Sequence, residues 1–393
     1  MKSLFSRLTF TGFGPHRLLS GVAAPPLEAI HGHRPSRLRE KVRKRCPRKP
    51  GVYGMVDATG ELIYVGKAKC LRSRLLSYFR PRSRDPKAGR IVEHTFVIAW
   101  ELATSEFAAL LRELELIRRW QPRFNVQGQP YQRRRRVYVC VGRRPAPYVF
   151  TAAAPPRTAR HIFGPVPNGD TVREAVRRVN DWFRLRDCPQ SQEMVFADQR
   201  ELFPLELSPG CIRHEIGQCL GPCAAACGRD DYAAGVAAAV AFLEGRDVTP
   251  LEAIERDMTA ASAALQFERA AALRDKLAAL QWLTEHVVRL REAARQSFVY
   301  AVPSIEGPDL WYAIHGGQVD AVFPAPQDDA TRRHAARVLE ATYPGRAGEA
   351  GGLSLDEVDG VLLVASWFRR HSAERRRRMT PQEALSISGG EAL

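Results

Sequence analysis

The strongest constraint on the fold is a pair of strand-like segments separated by a short turn. Residues 52–57 and 61–66 are rich in β-branched, aromatic and apolar side chains, and they flank Ala58-Thr59-Gly60. Short strand-like runs on either side of a glycine-containing turn are typical of a β-hairpin. Because helical segments follow this hairpin, the pattern indicates an α+β fold.

Two amphipathic helices are predicted after the hairpin. The first covers about residues 68–79, where apolar side chains recur every four positions, and the second covers about 105–119, beginning at a serine that can cap it. Short strands at 137–142 and 147–151 complete a first domain that we assign to residues 36–150. The apolar stripe of the second helix consists of Phe107, Leu110, Leu114 and Ile117.

Three further regions follow this domain. Residues 151–248 are cysteine-rich and largely helical, and residues 249–296 form an alanine-rich pair of helices with strong helical periodicity. Residues 297–393 combine short strands with helices, and their last 15 or so are expected to be frayed. Residues 1–35 are expected to be a disordered extension, because glycine and polar residues interrupt their apolar positions. The chain is therefore predicted to be an α+β multidomain protein.

The charge balance narrows the class of partner. The chain has 59 Lys and Arg against 43 Asp and Glu, a net charge of +16. Such an excess favours polyanions through counterion release, so nucleic acid is the leading partner class. The uncharged apolar stretches are far shorter than the roughly 18 residues of a membrane helix, and no secretory signal is evident. We therefore expect a cytoplasmic protein.

Polar residues recur in the first domain where a scaffold alone would not need them. A phosphodiester hydrolase needs a base for water, a cation for the developing phosphorane charge and usually a metal held by oxygen. Spacing alone leaves open whether the tyrosines are ordinary strand residues and the glutamate a solvated helix charge. The residues that could supply these tasks are Tyr53, Tyr64, Lys67, Arg74, Tyr78 and Glu113.

Three segments in this region resemble a known nuclease domain. They are PGVYGM at 50–55, YVGKAKCLRSRLLSYF at 64–79 and EFAALLRELELIRRWQPRFN at 106–125. In this order they closely resemble the GIY-YIG nuclease domain of the UvrC excinuclease family. The resemblance implies a small α/β nuclease domain and a reaction in which water attacks phosphorus in line.

The resemblance also implies a role for each matched position. A single Mg²⁺ or Mn²⁺ ion is expected on Glu113, with Tyr53 or Tyr64 helping to deprotonate the water and Arg74 clamping the phosphate. All seven positions are present, which argues against an inactive relic. The implied catalytic residues are Tyr53, Tyr64, Lys67, Arg74, Tyr78, Glu113 and Asn125.

Arginines beside this domain are candidate DNA contacts. Four consecutive arginines follow it, and they could form a phosphate-binding edge or simply a solvated loop. Arg72, in the first predicted helix, is a further candidate. The predicted DNA-binding residues are Arg72, Arg133, Arg134, Arg135 and Arg136.

A cysteine cluster marks the second region. Cys211, Cys219 and Cys223 are separated by seven and three residues, and Cys188 lies upstream, which gives four thiolates for one metal site. The spacing by itself does not decide between zinc and iron. The string CIRHEIGQCLGPC resembles the UvrC cysteine segment, which implies a [4Fe-4S] cluster, with Zn²⁺ as the alternative. Cys227 adds a fifth thiol, and the gap after Cys188 is longer than is usual in the family.

The third region carries an amphipathic helical pair. Its apolar stripe would ordinarily pack within its own domain. The segment DMTAASAALQFERAAALRDKLAAL at 257–280 resembles the UVR motif of UvrC and UvrB, which implies docking onto the same motif of a UvrB-like helicase subunit. The predicted partner-binding residues are Phe267, Glu268, Ala271, Arg274 and Asp275.

These observations predict a metal-dependent DNA endonuclease of nucleotide excision repair. Its substrate would be double-stranded DNA carrying a lesion. The RNase H-like and helix-hairpin-helix domains of UvrC find no counterpart in residues 297–393, so a single incision of the 3′-side type is expected, as in Cho-like proteins. Two alternatives stay open: a stand-alone structure-specific GIY-YIG nuclease, and a DNA-binding adaptor that no longer cuts.

Overall fold

A computed structural model describes residues 9–19, 25–80, 86–125, 136–142, 145–189, 191–199, 211–304, 307–343 and 353–389. The chain divides into two compact units. The first comprises Met1–Arg133, Ala294–Gly348 and Asp359–Leu393, and the second comprises Arg134–Ala293 and Glu349–Val358.

The first unit begins with a four-stranded antiparallel sheet in the order β1-β4-β2-β3. Helices flank it and connect its strands. The elements in chain order are β1 Glu28–His31, α1 Pro35–Arg45, β2 Gly51–Val56, β3 Leu62–Ala68, α2 Leu71–Ser77, α3 Pro86–Glu93, β4 Val97–Leu102 and α4 Glu106–Trp120.

The hairpin predicted from the sequence is present as β2 and β3. Its turn is closed by Asp57, whose Oδ1 accepts hydrogen bonds from the backbone N–H groups of Thr59 and Glu61 at 2.9 and 3.1 Å. Gly60 adopts a φ of 83°, a conformation that side chains disfavour. The predicted capping of the second helix is also confirmed, because the Ser105 side chain accepts from the Ala108 backbone at 3.0 Å.

The expectation of a disordered N-terminal extension is wrong for residues 9–19 and 25–35. Strand β1 pairs with β4 along the sheet edge, and Phe13 is only 1% exposed. The carbonyl groups of Gly14 and Pro15 accept hydrogen bonds from Arg112 on α4 at 2.6 and 3.1 Å. Residues 1–8 and 20–24 lie outside the described part of the chain.

The second unit contains a three-stranded antiparallel sheet in the order β6-β5-β7, followed by helices. Because β5 and β6 belong to this sheet, the predicted domain boundary near residue 150 is too late. The elements are β5 Arg136–Gly142, β6 Val149–Ala152, β7 Ala159–Pro167, α5 Asp170–Trp182, α6 Ile212–Glu215, α7 Arg229–Leu243, α8 Thr249–Ala263 and α9 Phe267–Ala294.

Helix α9 joins the core of the second unit through its later turns. Its residues Leu277, Leu283 and Val287 are buried in the same apolar cluster as Val172 and Val179 of α5. The first turn of α9 is exposed instead, with Phe267 at 66%. Among the described residues, no helix has the length and apolar character needed to cross a membrane.

The C-terminal part of the first unit is a second four-stranded sheet, in the order β10-β9-β8-β11, with helices packed on it. The short strands predicted within residues 297–393 are confirmed. The elements are β8 Phe298–Val302, β9 Leu310–His315, β10 Gln318–Pro324, α10 Asp329–Thr342, α11 Glu357–Arg370, β11 Arg378–Met379 and α12 Pro381–Ser388. Helix α12 begins with a capping box at Thr380 and Glu383, so the expectation of a frayed end is wrong for residues 379–389.

Helix α4 contacts both sheets of the first unit. Ala109 and Leu116 pack on the sheet that contains the hairpin. Phe107 is fully buried against the second sheet, with ring centroids 5.2 Å from Tyr300 and 5.1 Å from Tyr312. The predicted apolar stripe of this helix therefore serves two cores, and the C-terminal sheet supports the helix that carries Glu113.

Candidate active site

Three tyrosines from consecutive elements meet beside the hairpin. Tyr53 lies on β2, Tyr64 on β3 and Tyr78 at the end of α2. Their ring centroids are 6.0 to 6.1 Å apart in all three pairings. The Tyr53 and Tyr78 hydroxyl groups are hydrogen-bonded at 2.8 Å. We call Tyr53, Tyr64, Tyr78 and the adjacent Arg74 the tyrosine cluster.

Arg74 connects to two members of this cluster. Its Nε donates to the Tyr53 hydroxyl at 3.3 Å, and its Nη2 donates to the Tyr78 hydroxyl at 3.4 Å. The guanidinium also lies 5.1 Å from the centre of the Tyr78 ring. Arg74 and Tyr78 are four residues apart on α2, which places them on one helix face as the sequence predicts.

Gly66 makes the close approach of Tyr53 possible. A Cβ atom at Gly66 would lie 2.5 Å from the Tyr53 hydroxyl oxygen and 2.6 Å from the adjacent ring carbon. No side chain can be accommodated at that distance without displacing the ring. The glycine in the YVG string is therefore required so that the Tyr53 phenol can cross strand β3.

The three tyrosines differ in how far they are buried. Tyr53 is fully buried and Tyr78 is 5% exposed, and this burial raises the pKa of both hydroxyl groups well above the usual range. Tyr64 is half-buried. Tyr53 and Tyr78 are therefore hydrogen-bonding groups at neutral pH, and Tyr64 is the tyrosine that bulk water can approach most readily.

Glu113 is a partly buried carboxylate with little compensating charge. Its Oε1 accepts a hydrogen bond from the Lys67 backbone N–H at 3.0 Å. Burial raises the pKa of Glu113 to about 7, although that hydrogen bond and the charges of Lys67 and Arg74 act in the opposite direction. A divalent cation would stabilise the ionised form, and carboxylate oxygen suits Mg²⁺ and Mn²⁺. The donor chemistry of this residue thus fits the implied cation.

The Lys67 side chain has an acidic partner that the sequence analysis missed. Its Nζ lies 3.2 Å from Glu106 Oε1, and Lys69 Nζ lies 2.8 Å from the other oxygen of the same carboxylate. Although burial opposes it, hydrogen bonding to both lysines lowers the pKa of Glu106. Glu106 directly follows the Ser105 cap in the first turn of α4, where acidic residues are favoured, and this position could have drawn attention to it.

Asn125 has a structural contact instead of a position in the tyrosine cluster. Its Oδ1 accepts from the Val65 backbone N–H at 2.8 Å, and its Nδ2 donates to the Val65 carbonyl at 2.8 Å. Both polar ends of its amide are therefore engaged by β3, between Tyr64 and Lys67. The resemblance implies a catalytic role for Asn125, whereas its contacts are those of a residue that positions β3.

Replacement of Asn125 by Ala is expected to destabilise this strand. The variant leaves the buried N–H and C=O groups of Val65 without partners, which costs about 1–3 kcal/mol. Amide hydrogen exchange of β3 is the measurement, and faster exchange of Val65 and its neighbours is expected. Exchange that is unchanged in β3 would contradict the positioning role.

A buried ion network missed by the sequence analysis fixes α4. Arg112 is 3% exposed, and its guanidinium contacts Glu101 on β4 at 3.1 Å and Glu115 at 2.9 Å. Arg119 reaches Glu115 at 2.9 Å. In the sequence Arg112 is one of several charged residues of α4, and nothing in the local pattern marks it as buried. This network connects α4 to the sheet and to the N-terminal segment.

The predicted DNA-binding arginines that the structure describes lie in different units. Arg72 donates from Nε to the Cys46 carbonyl, so part of its guanidinium holds the chain that precedes β2. Arg133, Arg134 and Arg135 lie outside the described residues. Arg136 is the first residue of β5 in the second unit.

Comparison with known proteins identifies the family. Three family models match: a UvrC-like GIY-YIG domain at residues 49–126, the UvrC/Cho excinuclease middle domain at 137–242 and the UvrB/UvrC motif at 249–281. UvrABC system protein C of Desulforudis audaxviator is 39% identical over 358 residues, 87% of this chain and 55% of that protein. Its counterpart in Moorella thermoacetica is 30% identical over 89% of this chain and 56% of that protein.

The chain belongs to the UvrC family. It spans about half the length of the curated relatives that it matches. The Desulforudis match covers all but about 51 residues of this chain. Since residues 297–393 number 97, at least part of them must lie within the match. Similarity to UvrC therefore extends past the UVR motif into the C-terminal region, farther than the motifs recognised in the sequence.

A solved UvrC domain also matches. It is the GIY-YIG N-terminal endonuclease domain of UvrC from Thermotoga maritima, bound to magnesium as its catalytic divalent cation. The match is 38% identical, covers 22% of this chain and 98% of that chain, and has a TM-score of 0.21.

The cysteines of the UvrC middle domain lie in one neighbourhood of the second unit. Burial raises the pKa of both Cys219 and Cys223, and the nearby thiols of Cys188 and Cys211 raise it further. Cys227 is buried and interacts with Cys219. Within the described residues, however, no three His, Cys, Asp or Glu side chains are arranged to hold a metal ion. The predicted cluster is thus unsupported by the geometry.

The predicted UVR contacts lie at the exposed start of α9. Phe267 is 66% exposed, and Leu265 in the preceding turn is 72% exposed. Arg274 and Asp275 are exposed and form an ion pair with each other at 2.8 Å. Glu268 is exposed and Ala271 is half-buried, so these predicted residues are largely accessible in the described structure.

Proposed function

We propose that this UvrC-family chain is a metal-dependent DNA endonuclease of nucleotide excision repair. It would make a single incision on the 3′ side of a lesion and would be recruited by a UvrB-like helicase subunit. The proposal rests on the tyrosine cluster and on Glu113, which lies close enough to Arg74 for the Arg74 charge to lower the pKa of the Glu113 carboxyl group. The Arg74 guanidinium, held by two tyrosines beside this buried carboxylate, is a suitable environment for a phosphodiester group.

The side chains of the cluster divide the work of phosphodiester hydrolysis. Arg74 would contact the non-bridging phosphate oxygens, since its planar guanidinium matches their geometry. Tyr64, as the half-buried tyrosine, would in its phenolate form accept a proton from the attacking water and become the neutral phenol. Tyr53 and Tyr78 would stay protonated and hold Arg74 in position.

Glu113 would hold the divalent cation. Bound Mg²⁺ or Mn²⁺ would supply Lewis-acid stabilisation of the phosphate charge and would lower the pKa of groups near it. The Lys67 backbone N–H orients Glu113 by donating to Oε1, so the carboxylate is held before any cation binds. The neighbouring Lys67 side chain is paired with Glu106 and could exchange that partner for phosphate.

Recruitment is proposed to use the UVR motif at 249–281. Exposed apolar residues flank the turn between α8 and α9, where Leu265 and Phe267 are both more than half exposed. Exposed apolar side chains at the tip of a helical pair are suited to contact with the corresponding pair of a partner. A UvrB-like subunit is the partner that the motif implies.

The test is nicking of an end-labelled duplex that carries one bulky lesion, with Mg²⁺ or Mn²⁺, with and without a UvrB-like protein. We expect cutting of the lesion-bearing strand that requires the partner. The variant Phe267→Ala is expected to reduce partner-dependent cutting, because it removes an exposed apolar side chain of the UVR motif. Phe267 is distant in sequence from the nuclease domain, so the variant should leave the nuclease site unchanged. Partner-independent cutting of undamaged or branched DNA would support a stand-alone nuclease, and binding without cutting would support an adaptor.

We further propose that Cys188, Cys211, Cys219 and Cys223 hold a metal centre, [4Fe-4S] or Zn²⁺. Support comes from the proximity of the four thiols, because those of Cys188 and Cys211 are near enough to raise the pKa of both Cys219 and Cys223. An iron–sulfur cluster needs deprotonated thiolates, so the metal would also lower the raised pKa values of Cys219 and Cys223.

Metal content distinguishes the ligands from the additional thiol. Chain purified without oxygen is expected to contain about four iron atoms and matching labile sulfide if the centre is [4Fe-4S], or about one zinc ion if it is zinc. Cys223→Ser is expected to lose the metal, whereas Cys227→Ser should keep it. Metal-free wild-type chain of normal fold would contradict the proposal.

A further inference from the structure

The end of α11 and the 3-10 helix Ser372–Arg377 carry a dense group of arginines. Residues 369–378 contain six Arg and one Glu, so their formal charge is 6 − 1 = +5, within a chain of net charge +16. We define the arginine surface as the five exposed members of this segment. They are Arg369, Arg370, Arg375, Arg376 and Arg377.

Most of this positive charge has no acidic partner in the described structure. Among the described residues, Arg377 forms the only ion pair of the surface, with Glu374 at 2.9 Å. Glu374 also accepts a hydrogen bond from the Tyr300 hydroxyl at 2.8 Å, so its carboxylate is shared. Arg375 donates from Nε to the Phe368 carbonyl at 3.3 Å, which leaves its terminal nitrogens for other contacts.

Helix capping explains only part of this composition. Arg369 and Arg370 occupy the last turn of α11, where cations interact favourably with the helix dipole. The other three arginines lie beyond the end of α11, at the end of the short 3-10 helix. The α11 dipole therefore does not account for them, because its effect is confined to the last turn. A surface that keeps such charge is suited to a polyanion.

The backbone beneath the arginine surface is held by aromatic packing. The Trp367 ring stacks on His371 with centroids 3.9 Å apart. The Arg378 guanidinium lies 4.2 Å from the Phe298 ring centre and 3.7 Å from that of Phe368. The arginines therefore project from an ordered framework and not from a loose basic tail.

The same aromatic residues contact the helix that carries Glu113. Phe107 at the start of α4 lies 5.3 Å from Trp367 and 6.5 Å from Phe368, measured between ring centroids. Glu113 follows six residues later, about 9 Å along the helix axis. The arginine surface and the candidate nuclease site therefore belong to one compact unit, and the framework of the surface contacts the helix that carries Glu113.

We propose that the arginine surface binds the phosphate backbone of the duplex DNA that the nuclease site cuts. This inference rests on the proposed nuclease function and adds a second, non-catalytic contact to it. Guanidinium groups match phosphate oxygens in geometry and charge. Contacts to phosphates alone carry no sequence information, so the surface would hold DNA of any sequence beside the site.

Equilibrium binding of the full chain to a short fluorescent duplex over a range of salt concentrations tests the proposal. The buffer contains EDTA, so that cutting does not interfere. The test variant combines Arg369→Gln, Arg370→Gln and Arg376→Gln. The control combines Arg332→Gln, Arg333→Gln and Arg337→Gln, which removes three exposed arginines from α10 in the same unit.

The two variants lose the same charge, so a difference between them reports location. We expect the test variant to lower the slope of log affinity against log salt by up to about 2.7, at about 0.9 for each phosphate contact. The control is expected to keep the wild-type slope. Equal losses would mean that affinity follows net charge, and an unchanged test variant would mean that DNA lies elsewhere; either result overturns the proposal.

Two further comparisons separate this proposal from others. If the arginines were needed for binding to anionic lipid vesicles and had no effect on DNA, a membrane surface would be the partner and the proposal would be wrong. Cutting is measured separately with Glu113→Gln. A chain that binds DNA through the arginine surface but never cuts would keep this proposal and reject the nuclease function.

Discussion

Glu113→Gln is expected to reduce DNA nicking by about 10³-fold or more while leaving the fold intact. The substitution keeps the size of the side chain and an oxygen that can accept from the Lys67 backbone N–H. It removes the negative charge on which the proposed cation depends, and with it the electrostatic stabilisation of the phosphate. Single-turnover nicking at saturating Mg²⁺, followed over long times, measures the loss.

The control for this prediction is a second acidic residue of the same helix. Glu106→Gln weakens the ion pairs with Lys67 and Lys69 and leaves Glu113 unchanged. We expect an effect of at most about 10-fold, because those pairs are partly exposed and contribute modestly. Loss of activity in Glu106→Gln as severe as in Glu113→Gln would remove the special role of Glu113.

Phe107→Ala is expected to destabilise the first unit by about 3–5 kcal/mol. The Phe107 ring is fully buried and contacts four aromatic residues of the C-terminal part, so its removal leaves a cavity between α4 and the second sheet. Hydrogen exchange of the slowest amides in β9 should accelerate by about 10²- to 10⁴-fold, which is the same free energy expressed as a rate. The four aromatic contacts are Tyr300, Tyr312, Trp367 and Phe368.

An exposed phenylalanine provides the matched control for that prediction. Phe267→Ala removes the same side chain at a site that is 66% exposed, so a change within about 0.5 kcal/mol is expected. If Phe107→Ala were equally neutral, the C-terminal sheet would not support α4. The contact of Phe107 with Trp367 and Phe368 would then not be what holds the arginine surface near α4.

Local patterns predicted the elements of the candidate site well. The hairpin follows from the strand-like runs around Gly60, and α4 follows from its periodicity and its Ser105 cap. The match of three ordered motifs then indicated the tyrosines, Arg74 and Glu113. The hairpin and α4 depend on neighbouring residues, and such interactions can be read from a sequence. The roles of the tyrosines, Arg74 and Glu113 came from the resemblance to the UvrC family.

Features that depend on distant pairing could not be read in the same way. Strand β1 has only four residues, and its sequence shows no alternation of polar and apolar side chains. It is a strand because it pairs with β4, with Glu28 opposite Trp100. The end of the first domain was misassigned because β5 finds its partner in β7, which the local pattern does not specify. Long-range contacts of this kind depend on the whole fold.

The roles of individual polar residues were the least predictable part. Asn125 occupies a position that is functional in the motif, but in the folded protein its amide forms hydrogen bonds with the Val65 backbone. Arg112 looked like one charge among many on α4, yet it is buried and contacts Glu101 and Glu115. Burial decides whether such a charge is structural, and burial is a property of the assembled fold.

The measurement that tests the central claim most directly maps strand breaks in a duplex with one defined lesion, labelled at either end. It uses the full chain, Mg²⁺ and a UvrB-like partner, with Glu113→Gln in parallel. We expect one break, on the 3′ side of the lesion, that is absent in the variant. Breaks on both sides, or a break that persists in Glu113→Gln, would contradict it.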